Sequence, residues 1–169
     1  MKKIISVLLI ALSVVSMFTL FGCAEYTENK TEDKTKEAIV LTDVLADINK
    51  EFSISEDSMT AIETTDDLEI FYGVTAGDVK QFAAQVTVNT ATDIAEIILI
   101  EASDEDAAQR VYDALDKHYN AQRDLCASYS AELLAIVDKC SVEINGNFVS
   151  LIMDANAKDI VEYYTSVIE

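Results

Sequence analysis

The run Ile94-Ala95-Glu96-Ile97-Ile98-Leu99-Ile100 constrains this chain more than any other stretch. Its apolar side chains follow one another with almost no alternation, so an extended segment here needs cover on both faces or nearly so. It reads as a central strand over 93–102. Directly after it comes Ser103-Asp104-Glu105-Asp106, a serine cap followed by acids at the positive end of a helix dipole. Ala108, Val111, Leu115, His118 and Gln122 then recur at helical steps, with Lys117 and Arg123 toward the negative end. A buried strand that feeds a long one-sided helix calls for a sheet with helices packed on it. Val111 and Leu115 are expected to meet the strand.

The remaining segments arrange themselves around that pair. Gln85-Val86-Thr87-Val88, within 81–89, is β-branched and alternating, and Thr90-Ala91-Thr92 turns it back toward the central run as a hairpin. A second hairpin is predicted from Lys139–Ile144 and Phe148–Met153, joined by Asn145-Gly146-Asn147. Ile39, Val44, Leu45, Ile48 and Phe52 predict a helix over 37–52. Asp66-Asp67 and Gly73 bracket a short helix, Ser130 caps one over 129–138, and Ile160, Val161, Tyr164 and Val167 place one over 156–168. Met59–Ile62 reads as a short strand and Thr75–Phe82 as a short helical turn. Hairpins separated by helices give an α+β domain. The expected architecture is a two-layer sandwich, an antiparallel sheet built from hairpins with helices packed on one face.

The first 22 residues have a different character. Lys2 and Lys3 lead, an apolar run Ile4–Gly22 follows, and Gly22 precedes Cys23. This is the layout of a secretory leader. An uncleaved membrane helix is the alternative, since the run is near the lower limit of about 17–25 residues needed to span. The ending Leu20-Phe21-Gly22-Cys23 favours the leader, because it resembles the lipobox of bacterial lipoproteins. The resemblance implies a diacylated thiol at Cys23, exposed as the new first residue after cleavage. Two acyl chains suffice for stable anchoring. The expected division is a leader over 1–22, a tether over 23–36 and one domain over 37–169. The tether is polar, mixed in charge and nearly free of apolar residues, so it has nothing to bury.

Charge narrows the partners. The formal charge is −19, and removing Lys2 and Lys3 with the leader takes it to −21. Such a surface repels nucleic acid and anionic lipid headgroups. It admits a cationic peptide, a basic protein patch or divalent ions, and it also simply keeps a domain soluble. Cys126 and Cys140 remain once Cys23 is assigned to the anchor. In an extracytoplasmic setting they form either a disulfide or two separate buried thiols. They have no CxxC spacing and no histidine cluster, which argues against metal or redox chemistry.

Few residues suggest chemistry. His118, the one histidine, lies on or beside the core stripe of the long helix, and no serine or cysteine nucleophile falls to it by spacing. It reads as a rim residue. Glu96 stands inside the apolar central run, where a carboxylate is costly unless paired. It reads either as a ligand-contacting acid or as a group that faces solvent or pairs across the hairpin. Asp78 is the second candidate ligand contact. Asp66-Asp67 and Asp104-Glu105-Asp106 lack the oxygen spacing and glycine of a calcium loop. No cofactor or metal motif is present in the sequence.

Taken in order, Tyr72-Gly73, Asp78-Val79, Ala95-Glu96-Ile97, the acid-capped helix, Tyr129 with Glu132, and Gly146-Asn147-Phe148 form a pattern. It resembles a family of uncharacterised lipoprotein domains, a domain of unknown function found mainly in clostridia-like Gram-positive bacteria. The resemblance spans roughly 66–168. Where that family tends to carry proline after its tyrosine, this chain has Ser130. The resemblance implies a cell-envelope location and a fold, and no activity. The expected function is a lipid-anchored, extracytoplasmic, non-catalytic module that binds an envelope protein, a peptide or a small ligand. The alternative is a small envelope hydrolase working through a carboxylate pair, Glu96 with Asp78.

Overall fold

The computed structural model describes residues 38–169. The leader, Cys23, the tether and Glu37 lie outside the described residues. In chain order the elements are α1 (Leu41–Glu51), β1 (Met59–Ile62), α2 (Thr65–Tyr72), β2 (Val79–Thr87), β3 (Glu96–Ala102), α3 (Glu105–Tyr129), α4 (Ala131–Val137), β4 (Val142–Asn145), β5 (Phe148–Met153) and α5 (Ala157–Ile168). The strands form one antiparallel sheet in the order β1-β2-β3-β5-β4. Both predicted hairpins are present. The central pairing of β3 with β5, from Glu96 opposite Met153 to Glu101 opposite Phe148, joins them.

Local chemistry sets the boundaries. Asp104, one residue later than expected, caps α3 by accepting the Ala107 N–H at 2.8 Å. Ser130 ends α3 and caps α4, accepting the Leu133 N–H at 3.2 Å. Gly73 stops α2 with φ +73°, a left-handed conformation that glycine adopts without a Cβ clash. Of Thr75–Phe82 only Ala76–Asp78 is helical, as a single 3-10 turn, and β2 begins at Val79.

The class is α+β with an antiparallel sheet, as expected, but the helices lie on both faces rather than one. Gln81 and Gln85 of β2 point toward α1. Gln81 Oε1 accepts the Leu41 N–H at 3.0 Å, and Gln85 exchanges two amide bonds with Asn49 at 3.0 and 2.7 Å. Their β3 partners, Glu101 and Ile97, share that face, and Tyr164 of α5 sits in the field of Glu101. Glu96, opposite Val86, projects to the other face and meets His118 of α3. The molecule therefore has three layers. The reason lies in β3, all seven of whose residues are buried. A single helical layer leaves either Ile97 and Leu99 or Ile98 and Ile100 in water, at about 25 cal/mol per Å² of apolar surface. Val111 and Leu115 of α3 are buried in the core, as expected. Among the described residues no helix is long and apolar enough to cross a membrane.

Candidate functional site

Glu96 is the first residue of β3, with Val86 on one side and Met153 on the other. Only 6% of it is exposed. A carboxylate in that position needs donors. Two elements on the same face of the sheet supply them. His118, on α3, brings Nε2 to 2.9 Å from Glu96 Oε2. Tyr72, the last residue of α2, donates its hydroxyl to the same carboxylate. Its ring meets the imidazole edge-on, with centroids 4.7 Å apart and planes at 66°. Burial, then the Glu96 charge and the hydrogen bond to it, push the Tyr72 hydroxyl well above the ordinary tyrosine range. It therefore stays a donor.

The Tyr72–Glu96–His118 cluster forms one wall of a cavity of about 550 Å³. Thr60, Ala61 and Ile62 of β1, Phe71 and Asp67 of α2, Val86 of β2, Gln122 of α3 and Thr90 complete the lining. That size lies within the range of roughly 300–1,000 Å³ usual for small-molecule sites. The lining contains two carboxylates, Asp67 and Glu96, and no lysine or arginine. Phe71 is 57% exposed, an apolar ring standing partly in water beside the opening. A smaller recess of about 220 Å³ shares Thr90, Glu96 and Gln122 and extends toward Asp93 and Tyr129. The arrangement suits capture of a ligand with an apolar body and a hydrogen-bond donor or positive charge. The carboxylate has lone pairs beyond the two that Tyr72 and His118 use.

The second candidate contact, Asp78, is elsewhere. It lies beside the far end of β3, where the Ser103 N–H donates to its carbonyl at 2.9 Å and Val79 pairs with Ala102. Arg110 clamps its carboxylate, with Nε at 3.1 Å from both oxygens and Nη2 at 2.7 Å from Oδ1. The guanidinium's hydrogen bond, working against partial burial and with its charge, holds the Asp78 carboxyl below the usual range. The length of β3 separates Glu96 from Asp78 by about 20 Å at a strand rise of ~3.3 Å per residue. Paired glycosidase carboxylates stand roughly 5–9.5 Å apart. The expected partnership of Glu96 with Asp78 is not formed.

Cys126 and Cys140 are two separate buried thiols, not a bridge. Cys126 Sγ lies 3.9 Å from the Tyr129 hydroxyl, while Cys140 donates to the Ile136 carbonyl at 3.3 Å. Burial pushes the Cys140 thiol up, which keeps it protonated. Cys23 lies outside the described residues.

Sequence reasoning singled out Glu96 but missed Tyr72 and the link to His118. A signal was available. Glu96 is the one acid among the apolar residues of 94–100, and His118 lies on the stripe of the helix expected to pack there. Two costly polar groups on facing elements are each other's natural partner.

A family model described as a domain of unknown function, DUF4358, matches residues 45–154. That span holds all five strands and the whole Tyr72–Glu96–His118 cluster. No curated protein and no solved structure matches the chain.

Proposed function

The chain belongs to the DUF4358 family of domains of unknown function, and from that premise we propose that it is a binding module. Its ligand site is the cavity walled by Tyr72, Glu96 and His118, and it is held at the outer face of a cell membrane by lipid on Cys23. The observation that carries the reading is the buried, doubly hydrogen-bonded Glu96 facing a cavity of about 550 Å³. A carboxylate that needs two donors to stay buried is an expensive feature for a fold alone to keep. Here it stands where a ligand donor would meet it. Asp67 and Glu96, with no lysine or arginine in the lining, favour a neutral or cationic ligand over an anionic one.

The single histidine makes the test direct, because its ring signals arise from one site. The full chain is titrated with phenethylamine and with phenylacetate, and the imidazole resonances are followed by NMR. The amine is expected to move them saturably, the carboxylate to leave them in place, and Glu96→Gln to weaken the amine response. An imidazole that responds to neither probe removes the cavity reading. The anchor rests on the leader, the Leu20–Cys23 ending and the polar tether. Mass spectrometry of the mature protein is expected to find a diacylated Cys23 at the amino end. A full-length chain without acyl mass overturns that part.

A further inference from the structure

We propose that the ligand is an extended peptide bearing lysine or arginine, which adds to the sheet alongside β1 and sends alternate side chains into grooves on its two faces. This rests on the cavity being a ligand site and names the partner class. The first support is the edge itself. β1 ends the sheet, with β2 on one side only. The Val88 N–H donates to the Ser58 carbonyl at 3.0 Å. In an antiparallel ladder that sets the phase: Thr60 and Ile62 bond to β2, and the backbone N–H and C=O groups of Met59 and Ala61 point outward. Edge strands are normally blunted by charge, proline or a bulge. Met59-Thr60-Ala61-Ile62 has no charge and no proline, and it pairs with β2 in unbroken register. Thr60 and Ala61 are exposed. The other edge, β4, carries Glu143.

The second support is that both faces of this edge are grooved. The cavity with Glu96 opens beside Thr60 and Ile62 on the α3 face. A second groove of about 350 Å³ lies against Ala61 and Glu63, under Thr42 and Leu45 of α1. A strand added beside β1 directs successive side chains to opposite faces, so one bound register fills both.

The third support is charge. Between Lys50 and Lys80 the chain carries eight acids and no lysine, arginine or histidine, and β1 lies in the middle of that stretch. Glu63 lines the groove, and Asp67 and Glu96 line the cavity. Pairing of β1 with β1 of a second copy would bring two such stretches together, like charge against like charge. The edge therefore suits a basic strand rather than its own copy.

The test uses the full chain and the octapeptide (Lys-Val)4, with (Glu-Val)4 as comparison. The basic peptide is expected to bind saturably and more weakly as salt rises, to move the His118 resonances, and to protect the Met59 and Ala61 amides from hydrogen exchange. Ala61→Pro removes an outward N–H without touching the β2 ladder. It is expected to weaken the peptide by at least about tenfold while phenethylamine still moves the His118 resonances. Two peptide isomers, N-methylated on the lysines or on the valines, test the same point with the protein unaltered. One is expected to lose binding and the other to keep it, because only one set of N–H groups faces β1. Equal binding by (Glu-Val)4, or parent-like binding by both methylated isomers, overturns the proposal. Movement of His118 without amide protection also overturns strand addition but leaves the cavity reading intact, whereas silence of His118 toward peptide and phenethylamine alike removes both. A peptide-free dimer abolished by Ala61→Pro assigns the edge to a second copy instead.

Discussion

Tyr72 and Tyr164 bring the same hydroxyl into the interior with opposite consequences. Tyr72 donates a hydrogen bond to Glu96, while the buried Tyr164 oxygen meets no hydrogen-bond partner among the described residues. Tyr164→Phe is therefore expected to hold or raise stability, by up to about 1–3 kcal/mol, because it deletes an unsatisfied polar atom. Tyr72→Phe is expected to lower stability by a similar amount, because it strips a donor from a buried carboxylate. Urea melts at neutral pH check both signs. Burial pushes both hydroxyls above the ordinary range, and in each case a nearby carboxylate, Glu96 or Glu101, adds to the effect. A raised folded value means stability is fully present below the unfolded tyrosine value near 10 and is lost as pH climbs beyond it. The slope is about 1.4 kcal/mol per pH unit for each group. Wild type should thus lose more stability between about pH 9 and 11 than the double variant Tyr72→Phe/Tyr164→Phe. Parallel losses would mean that other groups drive the alkaline limb.

At the level of elements, α1 shows how one segment completes another. Its own N-cap residue, Val40, has no side chain to offer. Gln81 of β2 takes the role: its Oε1 accepts the Leu41 N–H, and its Nε2 donates to the Ile39 carbonyl at 2.8 Å and to Glu101. Burial pushes the Glu101 carboxyl up, but the bonds from Gln81 and Lys80 and the Lys80 charge bring it below its usual range. Gln81→Leu should cost about 1–3 kcal/mol at neutral pH and should lower hydrogen-exchange protection first in the opening turn of α1. A depressed carboxylate contributes stability above its unfolded value, lost as pH falls through the folded one. The gap between wild type and Gln81→Leu should therefore narrow below about pH 4. A gap that stays constant would assign the loss to the cap alone. The same helix marks the limit of what could be read from the residues. The acid-capped start of α3, the Ser130 cap, the Gly73 stop and the Asn145-Gly146 turn are local devices, and each was visible in a few adjacent letters. The cap of α1 comes from 40 residues away, and the Glu96–His118 link from 22, so no local pattern carries them. The layer count was half legible. The unbroken apolar run of β3 demanded two covered faces, but which helix goes to which face is decided by tertiary pairing of Gln81, Gln85 and Glu96.

For the molecule as a whole, charge sets two responses of opposite sign. The chain's formal charge is −19, and Lys80–Glu101, Arg110–Asp78 and Arg123–Asp138 are ion pairs among the described residues. Acids far outnumber the basic residues, and their mutual repulsion opposes the compact state. At 0.01 M salt the Debye length is about 30 Å, longer than the radius of a domain this size; at 0.1 M it is about 10 Å. Added salt should thus silence repulsion across the molecule. The contact pairs lose less, and the exposed ones, such as Arg123–Asp138, contribute little to begin with. The melting temperature is expected to rise between these two salt concentrations. A fall would mean that paired charges outweigh the unpaired excess. Binding of a basic strand at β1 draws on the same excess with the reverse sign, since screening removes the attraction that recruits it. One salt titration that follows both quantities should show the fold strengthening while affinity for (Lys-Val)4 weakens. If both weaken together, the acidic surface acts through specific ion pairs rather than as a field.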